Sequence, residues 1–130
     1  VLVTEVLGEK LAGDRRLVLV DAAMNDLLRP SLYGARHPIR PLRGPARAAS
    51  SEADVVGPVC ESGDFLGRSV PLPSLADGEH LAVLAAGAYG ASMASNYNSR
   101  PRPAEVMVDG ADVRLIRRRE APSDLWRLES

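Results

Sequence analysis

Arg29 and Tyr33 stand four residues apart in the run Arg29-Pro30-Ser31-Leu32-Tyr33-Gly34-Ala35. Over a helical turn that spacing puts both side chains on one face. A guanidinium grips a carboxylate through two parallel hydrogen bonds, and a neighbouring phenol adds a third donor. The pair reads either as a carboxylate clamp or, more plainly, as an exposed arginine over a packed tyrosine. A second run, Cys60-Glu61-Ser62-Gly63-Asp64-Phe65, sets the one cysteine beside a carboxylate at the end of a strand. Nucleophilic attack needs a thiolate, which neighbouring negative charge disfavours, so Cys60 suits proton donation better. The plain alternative is a buried cysteine packing as a small hydrophobe. A third run, Gly87-Ala88-Tyr89-Gly90-Ala91-Ser92-Met93, flanks Tyr89 with glycines that admit another group close to the backbone. Its phenol could stack on a flat cofactor or bond a phosphate, or it is a core tyrosine at a bend. The glycine spacing matches neither the P-loop nor the dinucleotide fingerprint. A fourth run, from Asn96 to Pro103, reads as a hydrogen-bonded turn feeding an extended linker.

These runs lie between short strand-like segments. Val1–Leu7 and Arg16–Val20 suggest a hairpin across a turn at Gly8–Asp14. Asn25 or Asp26 caps a helical turn reaching about Arg29. Three prolines and a glycine in residues 36–47 limit that stretch to an edge. The residues Ala46–Ser51 are small and read as flexible. Asp54–Cys60 reads as a strand bent at Gly57 and Pro58, Gly63–Gly67 as a turn, and Pro71 and Pro73 as breaks. Glu79–Ala86 reads as a buried strand, and Ala88–Tyr97 as holding a helical turn. Glu105–Val108 and Val113–Arg117 flank Asp109-Gly110, a strong hairpin signal. Ser123 caps a final turn over Asp124–Leu128, with Trp126 as its packing anchor. Seven or eight short strands and few helical residues predict an all-β Greek-key barrel or sandwich, a single domain spanning residues 1–130.

Composition removes several function classes. Sixteen basic and seventeen acidic residues give a net charge of −1, with no electrostatic footprint for nucleic acid or an anionic membrane. The one dense basic run, Arg117-Arg118-Arg119, reads as a solvated strand end. No apolar run approaches the roughly 20 residues that span a bilayer. A single cysteine excludes an internal disulfide and fits a reducing cytoplasm. No metal site is expected, because a second cysteine is missing and His37 and His80 lie in unrelated contexts, read as surface residues. The chain opens at Val1 directly in a strand-like segment, as a piece of something longer would.

Taken in order, three segments resemble one family. They are VDAAMNDLLRPSLYGARH, VVGPVCESGDFL and LAVLAAGAYGASMASNYNSRPRPAEVMVDG. Together they are similar to the bacterial diaminopimelate decarboxylases, pyridoxal-phosphate (PLP) enzymes of the alanine-racemase-like fold type. The resemblance runs from Val1 to about Arg127. It implies that the chain is the carboxyl-terminal β domain, following a PLP-binding (β/α)8 barrel that this sequence does not contain. The implied reaction converts meso-diaminopimelate to L-lysine and carbon dioxide in lysine biosynthesis. By position, Arg29 and Tyr33 match the residues holding the substrate's distal carboxylate, and Glu61 the residue binding its distal ammonium. Cys60 matches the proton donor, and Tyr89 a residue touching both PLP and substrate. The resemblance also implies a homodimer in which Cys60 and Glu61 complete the second copy's site.

Two other readings compete. A related PLP decarboxylase of arginine or ornithine has no distal carboxylate to hold, which Arg29 argues against. A non-enzymatic dimerisation or binding module would also lack the barrel and the cofactor lysine. PLP enzymes hold their cofactor on a lysine as a Schiff base, and the only lysine here is Lys10, beside the predicted turn of the first hairpin. The isolated chain is therefore expected neither to bind PLP tightly nor to decarboxylate amino acids. Titration with PLP, followed by absorbance and mass spectrometry, should give no lysine adduct; an adduct with turnover would overturn this expectation.

Overall fold

A computed structural model describes residues 1–43 and 50–129; the predicted flexible stretch, Ala46–Ser51, lies mostly outside these. The strands are β1 (Leu2–Ala12), β2 (Arg15–Val20), β3 (Ile39–Pro41), β4 (Ser51–Val56), β5 (Phe65–Leu72), β6 (His80–Val83), β7 (Glu105–Asp109) and β8 (Asp112–Arg117). One short helix, α1, covers Arg29–Tyr33. Six strands form one sheet in the order β3-β6-β1-β2-β4-β5, and β7 and β8 form a separate hairpin. The expected all-β barrel, with a few helical turns, is the architecture found.

Alternation of side chains fixes which face of each strand is buried. Thr4 and Val6 of β1 point into the core while Val3 and Glu5 face out. Val18 and Val20 of β2 do the same, and Val55, Leu66, Leu72, Leu81 and Val83 complete the interior. The sheet curls until its two edges meet: a Cβ on Gly67 of β5 would lie 2.9 Å from Ile39 Cδ1 of β3. A side chain at position 67 would have to displace the ends of Ile39 and Val70, so the barrel nearly closes by packing rather than by a ladder.

Several elements depart from the sequence reading. Strand β1 continues to Ala12, and only Gly13-Asp14 turns, with Gly13 at φ +65°. Glu9 is drawn into the ladder by its ion pair with Arg16. Residues 65–72, read as a turn and breaks, form β5 with Pro71 in register opposite Glu52. Proline is admitted there because β5 ends the hydrogen-bonded order. The helix starts at Arg29 rather than ending there, with Pro30 in its first turn, where no N–H is needed. His37 is buried rather than on the surface, its Nδ1 3.0 Å from the Leu84 carbonyl oxygen. At the other extreme Trp126 is 53% exposed and anchors little. Ala121 caps the last turn instead of Ser123, its N–H donating to Asp124 at 2.8 Å. The β7–β8 hairpin forms as read, with Gly110 at φ +59°.

The loops leaving β2 and β4 are tied together by one buried carboxylate. Asp64 accepts hydrogen bonds from the N–H groups of Met24 at 2.7 Å and Val59 at 2.6 Å. Gly57 is required beneath it, since a Cβ there would stand 2.5 Å from Asp64 Oδ2 and 2.7 Å from the Ala22 carbonyl oxygen. Farther along, Glu120 fastens the chain after β8 to the 96–102 segment. It accepts from Asn96 Nδ2 at 2.6 Å, and from the Arg102 N–H and Nε at 2.8 Å each.

Asp64→Ala should cost about 2–6 kcal/mol in chemical denaturation, since it strands two N–H groups at about 1–3 kcal/mol each. A loss under about 1 kcal/mol would contradict the tie. The Arg102 side chain, then its N–H, lowers the Glu120 carboxyl from its ordinary value of 4.5 to about 2. A depressed carboxylate stabilises the fold above its unfolded pKa, and that contribution disappears as pH falls through the folded value. Glu120→Gln should thus be less stable than the parent at pH 7, the gap narrowing from about pH 4.5 towards pH 2. A gap that does not change with pH would contradict this assignment.

Candidate functional site

Strand direction decides where the candidate residues meet. Strands β2 and β4 are parallel partners, so their carboxyl ends lie side by side. β6 is antiparallel to β1, and β1 is antiparallel to β2, so β6 runs the same way as β2. Three like-directed strands therefore release their chains at one end of the barrel. β2 leads to α1 with Arg29 and Tyr33, β4 to Cys60 and Glu61, and β6 to the turn carrying Tyr89.

α1 is a single turn, stopped by Gly34 at φ 62°, whose N–H donates to the Pro30 carbonyl at 3.0 Å. Its five residues span the interval from Arg29 to Tyr33, as the spacing requires. The Arg29 guanidinium carbon lies 5.7 Å from the centroid of the Tyr89 ring, within cation–π range. Arg29 Nε is buried without a hydrogen-bond partner among the described residues. A donor in that state suits an acceptor from outside the chain. Tyr33 and Tyr89 remain 65% and 70% exposed, so neither is the packed or core tyrosine of the plainer reading. The Tyr89 turn, Gly87–Ala91, presses Gly90 onto Leu27, where a Cβ would stand 3.0 Å from Leu27 Cδ1.

The loop after β4 abuts the same helix. A Cβ on Gly63 would lie 2.7 Å from Ser31 Oγ of α1 and 3.7 Å from Met24 Cε. Within the loop, the Glu61 N–H donates to the Val59 carbonyl at 2.8 Å and the Asp64 N–H to the Glu61 carbonyl at 3.0 Å. Cys60 is exposed, which removes the buried-hydrophobe reading. Glu61 is exposed as well, and its Oε2 accepts a hydrogen bond from the Tyr97 hydroxyl at 2.8 Å. That bond and the Glu61 charge raise the Tyr97 pKa above the ordinary phenol value. Tyr97 lies in the run read as a mere turn. The sequence signal that could have singled it out is a third tyrosine close to Tyr89 in a chain that holds only three.

The arrangement joins complementary chemistries at one end of the barrel. A guanidinium and a phenol can bind a carboxylate, a carboxylate can bind an ammonium, and a thiol can deliver a proton. An exposed ring backed by a guanidinium can meet a flat aromatic group. Lys10 sits in β1 opposite Leu17, near the hairpin turn at the other end of the barrel. Among the described residues there is no cluster of metal-ligating side chains.

Comparison with known proteins places the sheet in a family. Residues 1–87 match the family described as the pyridoxal-dependent decarboxylase C-terminal sheet domain. The chain is 53% identical over 128 residues to diaminopimelate decarboxylase of Helicobacter pylori strain J99, covering 98% of this chain and 32% of that protein. It is 53% identical over 130 residues to diaminopimelate decarboxylase of Vibrio cholerae, covering 100% of this chain and 31% of that protein. The crystal structure of the Helicobacter pylori enzyme complexed with L-lysine superposes with a TM-score of 0.89 at 51% identity, over 98% of this chain and 31% of that one. The chain thus spans about a third of the length of these relatives. By its sequence match and its sheet, the chain belongs to the family of carboxyl-terminal sheet domains of pyridoxal-dependent decarboxylases.

Proposed function

We propose that this chain forms the carboxyl-terminal third of a diaminopimelate decarboxylase. The full protein would release carbon dioxide from the D centre of meso-diaminopimelate and leave L-lysine. The observation that carries this reading is that three like-directed strand ends present Arg29 and Tyr89 in contact, and the Cys60-Glu61 loop beside them, at the one end of the barrel from which that loop could reach a second copy. The relatives that share about half of its residues are named for that activity.

PLP, when bound, supplies the electron sink that makes loss of the carboxylate feasible. The residues here fit one edge of such a group and not its covalent attachment, because Tyr89 offers an exposed ring while Lys10 lies at the far end of the barrel. The missing attachment is assigned to an amino-terminal barrel, in keeping with relatives about three times as long. In this reading Arg29 and Tyr33 hold the distal carboxylate of the amino-acid substrate and Glu61 holds the distal ammonium. That grip on the non-reacting end orients the reacting end. The Cys60 thiol gives its proton to the carbon that has lost the carboxyl group. Tyr89 contacts the cofactor on one side and the substrate on the other.

Two further elements belong to the proposal. Val106, Val108, Val113 and Leu115 of the β7–β8 hairpin are each more than half exposed. Apolar surface of this kind favours burial against the barrel domain and a second copy of the chain. A homodimer in which Cys60 and Glu61 serve the second copy's site accounts for their exposure. Among the described residues no helix is long and apolar enough to cross a membrane; a cytoplasmic location is assigned with the biosynthetic role. The alternative of arginine or ornithine as substrate leaves Arg29 with no carboxylate to bind.

In the full-length polypeptide that carries this chain, Cys60→Ala should lower kcat at least tenfold with little change in KM, because proton delivery follows binding. Glu61→Ala and Arg29→Ala should raise KM for meso-diaminopimelate about tenfold or more, each removing a hydrogen bond to a charged group. Steady-state rates that match the parent in all three variants would refute the assignment of these roles.

A further inference from the structure

The most informative unexplained contact is the hydrogen bond from Tyr97 to Glu61. Tyr97 opens a tight turn whose next two residues, Asn98 and Ser99, are held at φ 58° and 55°. Residues other than glycine seldom occupy that region, so surrounding bonds must hold them there. Asn96 Nδ2 donates to the Arg100 carbonyl at 3.0 Å and to Glu120 at 2.6 Å. Arg100 Nε donates to Asn25 Oδ1 at 3.0 Å, and one Nη to the Asp21 carbonyl at 2.6 Å. The turn is thereby fixed to the segment between β2 and α1, the same segment against which Asp64 anchors the Cys60-Glu61 loop. A rigid turn that ends in one phenol bonded to one exposed carboxylate is an expensive arrangement for a surface ornament.

We propose that Tyr97 is a positioning residue for Glu61. Its hydroxyl occupies Oε2, restricts the carboxylate to one orientation, and leaves Oε1 to accept from an ammonium. This rests on the reading of Glu61 as the residue that binds the substrate's distal ammonium. Unrestrained, an exposed glutamate spreads over many rotamers, and binding must then collect them into one. With the phenol in place, most of that ordering is done before the ligand arrives. The phenol also discriminates by charge, because it occupies Oε2 as a donor and directs an incoming donor, not an acceptor, to the remaining oxygen. The hydrogen bond to Glu61, then its charge, raises the Tyr97 pKa and so keeps the phenol a donor to that carboxylate.

The test uses the full-length enzyme with Tyr97→Phe, Glu61→Ala and the double variant. Tyr97 is half exposed, so the loss of one hydroxyl should leave folding intact, which circular dichroism and the thermal midpoint will check. Tyr97→Phe should raise KM for meso-diaminopimelate about tenfold, the scale of one hydrogen bond to a charged group, with kcat nearly unchanged. L-lysine, which keeps the distal ammonium and carboxylate, should bind more weakly by the same factor. D-2-Aminopimelate, which keeps the distal carboxylate and lacks that ammonium, should bind equally well to parent and variant. In the Glu61→Ala background the tyrosine substitution should add nothing. Weakening of D-2-aminopimelate and L-lysine alike, or additive losses in the double variant, would overturn the positioning role while Glu61 kept its own. If Glu61→Ala left L-lysine binding unchanged, the reading of Glu61 would fail first.

Discussion

Asp64 is a carboxylate nearly without solvent access, and it accepts one backbone N–H from the chain leaving β2 and one from the chain leaving β4. The end of the barrel that carries the proposed site is arranged around it. A charged acceptor makes stronger hydrogen bonds than a neutral one, and the buried setting makes their loss costly. The glycines on either side are consequences of the same bond: Gly57 clears space for the carboxylate, and Gly63 lets the loop pass against Ser31 of α1. The run Cys60-Glu61-Ser62-Gly63-Asp64 is therefore an anchor and a presented pair in one short segment, with Asp64 and the glycine inward and Cys60 and Glu61 outward.

Recognition of the far end of a diamino acid calls for a cation and an anion held at a set separation. Two short barrels can supply that between them, as the proposed dimer has it, when strands of like direction release their loops at one end of each. β2, β4 and β6 do so here, and the Arg29–Tyr89 contact, together with the packing of Gly63 on α1, binds the three loops to one another. The proposed clamp is thus built on the rigid rim of a sheet, and only its tips are exposed. In the proposed reading the chemistry of bond breaking falls to a cofactor held elsewhere, since Lys10, the one lysine, pairs with Leu17 near the far end of the barrel.

Legibility in the sequence followed how local each physical cause is. The β7–β8 hairpin is readable because Asp109-Gly110 supplies its own turn geometry. The Arg29–Tyr33 turn is readable from its spacing, and even its shifted start reflects local chemistry, since Pro30 favours the first turn of a helix. β5 was missed because Pro71 breaks a strand unless that strand is an edge, and edge position is a property of the whole sheet. His37 was misplaced for the same reason, as its partner is the Leu84 carbonyl on a distant segment. Among the proposed site residues, Arg29, Tyr33, Cys60, Glu61 and Tyr89 stand out by type and by family resemblance. Tyr97 does not, because its meaning resides in a contact with a residue 36 positions away.

The most direct measurement is a crystal structure of the full-length protein with L-lysine soaked into it. The account predicts the ligand's distal carboxylate within about 3 Å of Arg29 and Tyr33 of one copy and its distal ammonium within about 3 Å of a Glu61 carboxylate oxygen, ordinary hydrogen-bond range. Lysine bound with those two groups against other residues, and with the Arg29 and Glu61 side chains facing solvent, would contradict it.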